Sequence, residues 1–175
     1  MTKQIKKSGF SLVEMLIYIG LLAAIFTATV IMLVNLTSTY RVLKVSKDID
    51  LSAATVMQRI SSEIKAADSV NVAQSNLGTT TAPALALDTY TGGGASTIVK
   101  FFVSNNLLRV SEGGTDLGPL TASTTRVSRL IFYSITASSS DAVRVELTLQ
   151  SGTSTTLKTE KFYTTAVLRG SYKNK

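Results

Sequence analysis

The sequence predicts an α+β fold. One long N-terminal α-helix, its first half long and apolar enough to cross a membrane, packs on a C-terminal antiparallel β-sheet domain. Three observations predict it. From Phe10 to Leu36 apolar residues fill 21 of 27 positions, and from Phe10 to Tyr40 the only charged residue is Glu14. From Val42 to Ala67 apolar residues recur at steps of three and four, and beyond Thr97 the period falls to two. With 175 residues the chain has the length for one domain plus an appendage and for a real core. It holds no His and no Cys, which excludes triads that use them, zinc sites and redox dithiols.

The apolar run comes first. A helix crossing the hydrocarbon core needs about 20 apolar residues. A cleaved secretory signal would carry a shorter run and then a small-residue cleavage site, and no convincing one follows here. Orientation is not settled by charge: Lys3, Lys6 and Lys7 precede the span and Arg41, Lys44 and Lys47 follow it, a near tie under the positive-inside rule.

The amphipathic stretch comes next. Val42, Val45, Ile49, Ala53, Val56, Ile60, Ile64 and Ala67 form one stripe, while Arg41, Lys44, Lys47, Asp48, Arg59, Glu63 and Lys65 lie mostly on other faces. No Pro occurs before Pro83. One helix from Leu12 to Ala67 is the simplest reading, roughly 80 Å at about 1.5 Å per residue; the alternative is two helices with a break between Asn35 and Tyr40.

Residues from Asp68 to Thr97 are rich in Ser, Thr, Ala and Gly, with a short strand expected around Leu85, Leu87 and Tyr90. Gly92, Gly93 and Gly94 read as a flexible turn, since no Lys-Ser or Lys-Thr follows as in a phosphate loop. Thr97–Ser104 and Leu107–Ser111 flank Asn105-Asn106, a short-hairpin signal because Asn tolerates positive φ. Glu112–Pro119 (EGGTDLGP) reads as a Gly-rich loop, Arg126–Ile135 as a strand, and Val143–Leu149 as a strand with strict alternation. A turn at Ser151–Thr156 leads to a last strand, Leu157–Leu168. Strict alternation predicts a sheet with one covered face, and the amphipathic helix is the cover.

The start of the span carries the most specific pattern. Lys6 to Leu16 read KKSGFSLVEML: basic residues, Gly9, Phe10, then a lone Glu14 inside the apolar run. A carboxylate in hydrocarbon is costly and ordinarily has a partner and a task, and no cation lies within this span. The alternative is a Glu near enough to the headgroups to stay solvated.

This stretch resembles the type IV prepilin motif. By that resemblance a prepilin peptidase/methyltransferase cuts between Gly9 and Phe10 and methylates the new amine of Phe10, Lys6 and Lys7 belong to the leader, and Glu14 is the assembly glutamate. The new amine, on this chain or a neighbour, would supply the missing cation; opposite charges in low dielectric attract strongly. The resemblance implies residues 1–9 as a cleaved leader, 10–40 as the transmembrane and assembly half of the helix, 41–68 as its amphipathic half and 69–175 as the β-sheet globular domain. It also implies a single-pass inner (cytoplasmic) membrane protein, leader in the cytoplasm and globular domain outside, later placed in a pilus or pseudopilus filament. Losing the leader removes three Lys and leaves 15 basic and 11 acidic side chains, an excess of +4. The patterns VMQRISSEIKAADSV, VKFFVSNNLLRV, VSRLIFYSI, VRVELTL and TTAVLRG are similar to minor pilins and pseudopilins of the J/W type. The chain departs from many major pilins in having no Pro inside the apolar helix and no Cys for a C-terminal disulfide.

Other patterns carry less. Ser62 and Lys65 make an S-x-x-K string without companion motifs, and Asp48 and Asp50 lack the loop Gly and terminal Glu of a calcium site. Asn35-Leu36-Thr37 is a sequon at a membrane edge. Arg126, Arg129, Arg144, Arg169, Lys173 and Lys175 supply positive charge, with Tyr133 and Tyr172 available to stack. Arg on a strand's exposed face is ordinarily solubility and edge protection, and an excess of +4 reads as too diffuse for a backbone-binding stripe, so nucleic acid ranks below protein partners. The sequence thus predicts no enzyme, no cofactor and no metal. It predicts a structural minor pilin or pseudopilin of a type IV pilus or type II secretion pseudopilus, with other such subunits and the inner membrane as partners. The alternatives are a major pilin, or a single-pass membrane-anchored surface domain that never assembles.

Overall fold

The computed structural model describes residues 11–90, 94–137, 140–154 and 156–172. The chain divides into two compact units, Met1–Val42 and Leu43–Lys175. Helix α1 runs without interruption from Leu12 to Ala66, so the alternative with a break between Asn35 and Tyr40 falls. Nothing in its sequence stops it earlier: no Pro occurs, and Ser and Thr hydroxyls turn back onto the helix's own carbonyls. Thr37 donates to Leu33 O at 2.9 Å, and Ser38 and Thr39 both donate to Asn35 O. An i,i+4 pair, Arg59 with Glu63 at 2.9 Å, supports the last turns.

In the second unit α1 buries Ile49, Ser52, Ala53, Val56, Ile60 and Ile64. Val45 is half-buried and packs on this core, whereas Val42, expected in the stripe, is 51% exposed. Ser52 is the polar member that an apolar stripe hides: its Oγ accepts the Ala122 N–H at 3.4 Å. Ala67 is buried just past the helix end.

Among the described residues eight strands follow: β1 (Ser69–Val70), β2 (Ala84–Tyr90), β3 (Ser96–Ser104), β4 (Leu107–Glu112), β5 (Thr115–Pro119), β6 (Thr125–Thr136), β7 (Asp141–Ser151) and β8 (Lys158–Val167). They form two antiparallel sheets, β1-β2-β3-β4-β5 and β6-β7-β8, where alternation predicted one. Alternation records which side of a strand is covered, not which strand lies beside it. Leu85, Leu87, Val99, Phe101, Leu108 and Val110 from the first sheet, and Leu130, Phe132, Val143, Val145, Leu147 and Leu149 from the second, join the helix stripe in one core. The fold is therefore α+β, with the helix packed on antiparallel sheets.

Asn105 and Asn106 both sit at positive φ (53° and 60°) and make the two-residue β3–β4 turn. The expected loop Glu112–Pro119 is instead the end of β4, a turn at Gly113 and Gly114 (φ 57° and 86°), and β5. Glycines supplying left-handed φ made a hairpin turn look like a loop. Strand β2 lacks alternation because Ala84, Leu85, Ala86 and Leu87 are all buried; the preceding segment bonds its edge, Asn71 N donating to Ala86 O and Asn76 N to Ala84 O. A short 3₁₀ helix, Arg169–Tyr172, follows β8, with Gly170 N donating to Ala67 O at 3.2 Å.

Candidate assembly site

Gly9, Phe10, Lys6 and Lys7 lie outside the described residues, as do Gly92, Gly93, Lys173 and Lys175. Glu14 is described: it occupies the first turn of α1, where the helix's exposed N–H groups favour negative charge. Its side chain is exposed, and among the described residues it makes no ion pair. Around it and beyond, Leu12, Val13, Met15, Leu16, Leu22 and Phe26 are all more than half exposed. The segment is a helix long and apolar enough to cross a bilayer, with its most apolar window entirely unburied.

Threonine hydroxyls in this half bond their own helix. The Thr27 hydroxyl donates to Ala23 O at 2.9 Å and that of Thr29 to Ile25 O at 2.8 Å. Hydroxyls bonded to their own helix suit a hydrocarbon surrounding, where unmet polar groups are expensive. Glu14 is a charge in the same half with no ion pair among the described residues.

The unit from Leu43 onward carries further polar features. A cavity of about 470 Å³ is lined by Lys44, Val45, Asp48, Arg126, Gln150 and Leu157 among others. The Thr124 hydroxyl donates to Asp48 Oδ2 at 3.2 Å, and Lys158 bonds both Ser46 and Glu160. Among the described residues no group of His, Cys, Asp or Glu is arranged to hold a metal. Ser62 and Lys65 are exposed on α1. On the β4–β5 hairpin, Arg109 Nε donates to Asp116 Oδ2 at 2.7 Å and Gly118 N to Oδ1 at 2.9 Å; the hydrogen bond from Arg109, then that from Gly118, holds this carboxyl below its usual range.

The outer face of the second sheet gathers residues that are distant in sequence. Because Val143, Val145, Leu147 and Leu149 point inward, Arg144, Glu146, Thr148 and Gln150 point outward. Arg126 lies opposite Gln150, Arg129 and Lys161 both lie opposite Thr148, and Tyr163 lies opposite Glu146. Arg126 and Arg129, three apart, would face opposite ways on a regular strand; the register shift between Val127 and Arg129 turns both outward. Arg144 pairs with Glu146 at 2.7 Å and stands over the Tyr163 ring, 5.9 Å from its centre.

The structure thus has Glu14 on an exposed apolar helix, and it assembles a basic, aromatic face that spacing along the chain concealed. Arg144 and Glu146 showed their facing through alternation, but nothing in the sequence marked the one-residue shift that aligns Arg126 with Arg129. No family model, no curated protein and no solved structure matches this chain.

Proposed function

We propose that this chain is a structural subunit, a minor pilin or pseudopilin, of a type IV pilus or type II secretion pseudopilus. It is made as a single-pass inner membrane protein with its leader in the cytoplasm and its sheet domain outside, cut between Gly9 and Phe10 and methylated at Phe10 by a prepilin peptidase/methyltransferase, then assembled through its N-terminal helix.

One observation carries the reading: a single carboxylate, Glu14, stands in the first turn of an exposed helix that is uncharged from there to Tyr40, four residues after the Phe10 of Lys6-Lys7-Ser8-Gly9-Phe10. Lipid alone would select against that charge. The amine released at Phe10 of the same or a neighbouring subunit neutralises it and fixes the register of one helix on the next. The apolar surface from Leu12 to Leu43 supports the same reading, since exposed apolar area on this scale is covered by lipid or by partner helices. The lack of Pro in this half keeps the proposal with a minor subunit rather than a major pilin.

The test is the N-terminus of the protein recovered from the host membrane. An N-methylated Phe10 supports the proposal; an intact Met1 overturns it and leaves a non-assembling, membrane-anchored domain.

A further inference from the structure

We propose that the outer face of the β6-β7-β8 sheet binds single-stranded nucleic acid, Arg129 and Lys161 taking a backbone phosphate and Tyr163 stacking a base. The proposal stands on the second unit alone and is independent of any assembly role.

The charge is concentrated. The face holds Arg126, Arg129, Arg144 and Lys161 against Glu146, a net of +3, while all the described residues together hold 13 basic and 11 acidic side chains, a net of +2. The excess is therefore not spread over the surface, as the sequence suggests. Glu146 is tied to Arg144, so the field outside is set by Arg126, Arg129 and Lys161, which make no ion pair among the described residues.

The geometry suits a phosphate. Arg129 and Lys161 stand on the two strands flanking Thr148, about 10 Å apart at the backbone for strands spaced about 4.8 Å. Their long side chains can meet over one anion above the Thr148 hydroxyl. A small depression of about 70 Å³ lies there, bounded by Arg129, Glu146, Leu147, Thr148, Lys161 and Tyr163. Tyr163 is two residues from Lys161 on the same face and 60% exposed, and Arg144 beside the ring steadies it. A cationic track beside an aromatic platform on a sheet is the arrangement that holds single strands without reading their sequence. An acidic protein would use the cations but not the ring. A duplex would present its backbone but keep its bases stacked inside, away from the ring.

The experiment uses the full chain in non-ionic detergent and a fluorescein-labelled dT oligomer, read by anisotropy. Binding should weaken with salt with a log–log slope of about −1.4, since each phosphate on a single strand contributes about −0.7 and the face engages two, one shared by Arg129 and Lys161 and one at Arg126. Arg129→Glu and Lys161→Glu should each weaken binding at least about tenfold, and Tyr163→Ala about fivefold or more, the range of base stacking. Lys100→Glu, the same charge change on the other sheet, should stay within about twofold. Each variant must keep its far-UV and near-UV circular dichroism; should Arg129→Glu lose it, Arg129→Gln replaces it with the same expected direction. Equal loss in Lys100→Glu and Arg129→Glu overturns the assignment, as does equal binding of a duplex of the same length. Displacement by polyglutamate at equal charge with no effect of Tyr163→Ala overturns it in favour of an acidic polypeptide.

Discussion

Replacing Ile60 by Ala tests the helix register on which the sheet domain is built. Ile60 is fully buried at the middle of the α1 stripe, among a core that draws on both sheets. The substitution removes three carbons, about 0.8 kcal/mol each in transfer terms, and leaves a cavity that packed neighbours only partly refill. The sum is about 3–4 kcal/mol, inside the range of about 2–5 kcal/mol found for such changes. For a unit of this size that corresponds to a fall in Tm of about 10 °C. The comparison is Leu51→Ala on the same helix: Leu51 is 57% exposed, so its loss should change stability by less than about 0.5 kcal/mol. Both are read by thermal near-UV circular dichroism of the full chain in detergent, where the domain's tyrosines report tertiary packing and the apolar half of α1 stays helical. Equal shifts in the two variants, or a change at Ile60 under about 1 kcal/mol, would refute the stripe as drawn.

Four other outcomes are expected. Under the proposed function, Glu14→Ala should be processed and membrane-inserted but enter filaments poorly, and immunoblots of sheared filaments showing normal incorporation would remove that role. Gly152→Ala should destabilise the β7–β8 turn by about 2 kcal/mol or more, because at φ +105° its Cβ would lie 2.4 Å from Thr156 O; urea titration measures it. Asn106→Gly should hold or slightly raise stability and Asn106→Val should lower it by about 1–2 kcal/mol, because φ is +60° there. Asp116 has a folded pKa below its unfolded value, so its contribution is present above the ordinary carboxylate range and is lost as pH falls through the lowered value. Carboxyl NMR titration should find it low, and Arg109→Ala should return it toward the usual range, whereas no change in that variant would remove the guanidinium as the cause.

What could be read from the sequence was whatever repeats at a fixed period. Ile49, Val56, Ile60 and Ile64 announce their face by spacing alone, as do Val143 to Leu149, so the helix, the last strands and their inward sides were legible. Strand β5 was not, because Gly113, Gly114 and Gly118 break any pattern while supplying the very φ values the hairpin needs. The split into two sheets was equally hidden: whether β6 continues the first sheet depends on the path of residues 120–124, where Leu120 N still bonds Leu108 O before the chain leaves. Glu14 stood out because a charge among apolar residues is an outlier on any scale. The Arg126–Arg129–Lys161 cluster did not, because it exists only once three strands are in register.

The extra residue in β6 has a consequence beyond local twist. Deleting Ser128 would remove the irregularity and leave Arg126 and Arg129 two apart, both still outward, whereas keeping Ser128 in an unbroken ladder would oblige one of them to change sides. The electrostatic identity of this face is thus stored in where the ladder skips a residue as well as in residue type. Two chains with identical residues in β6 could differ in it if one paired every residue and the other skipped one, and a comparison of residues alone would pronounce them alike.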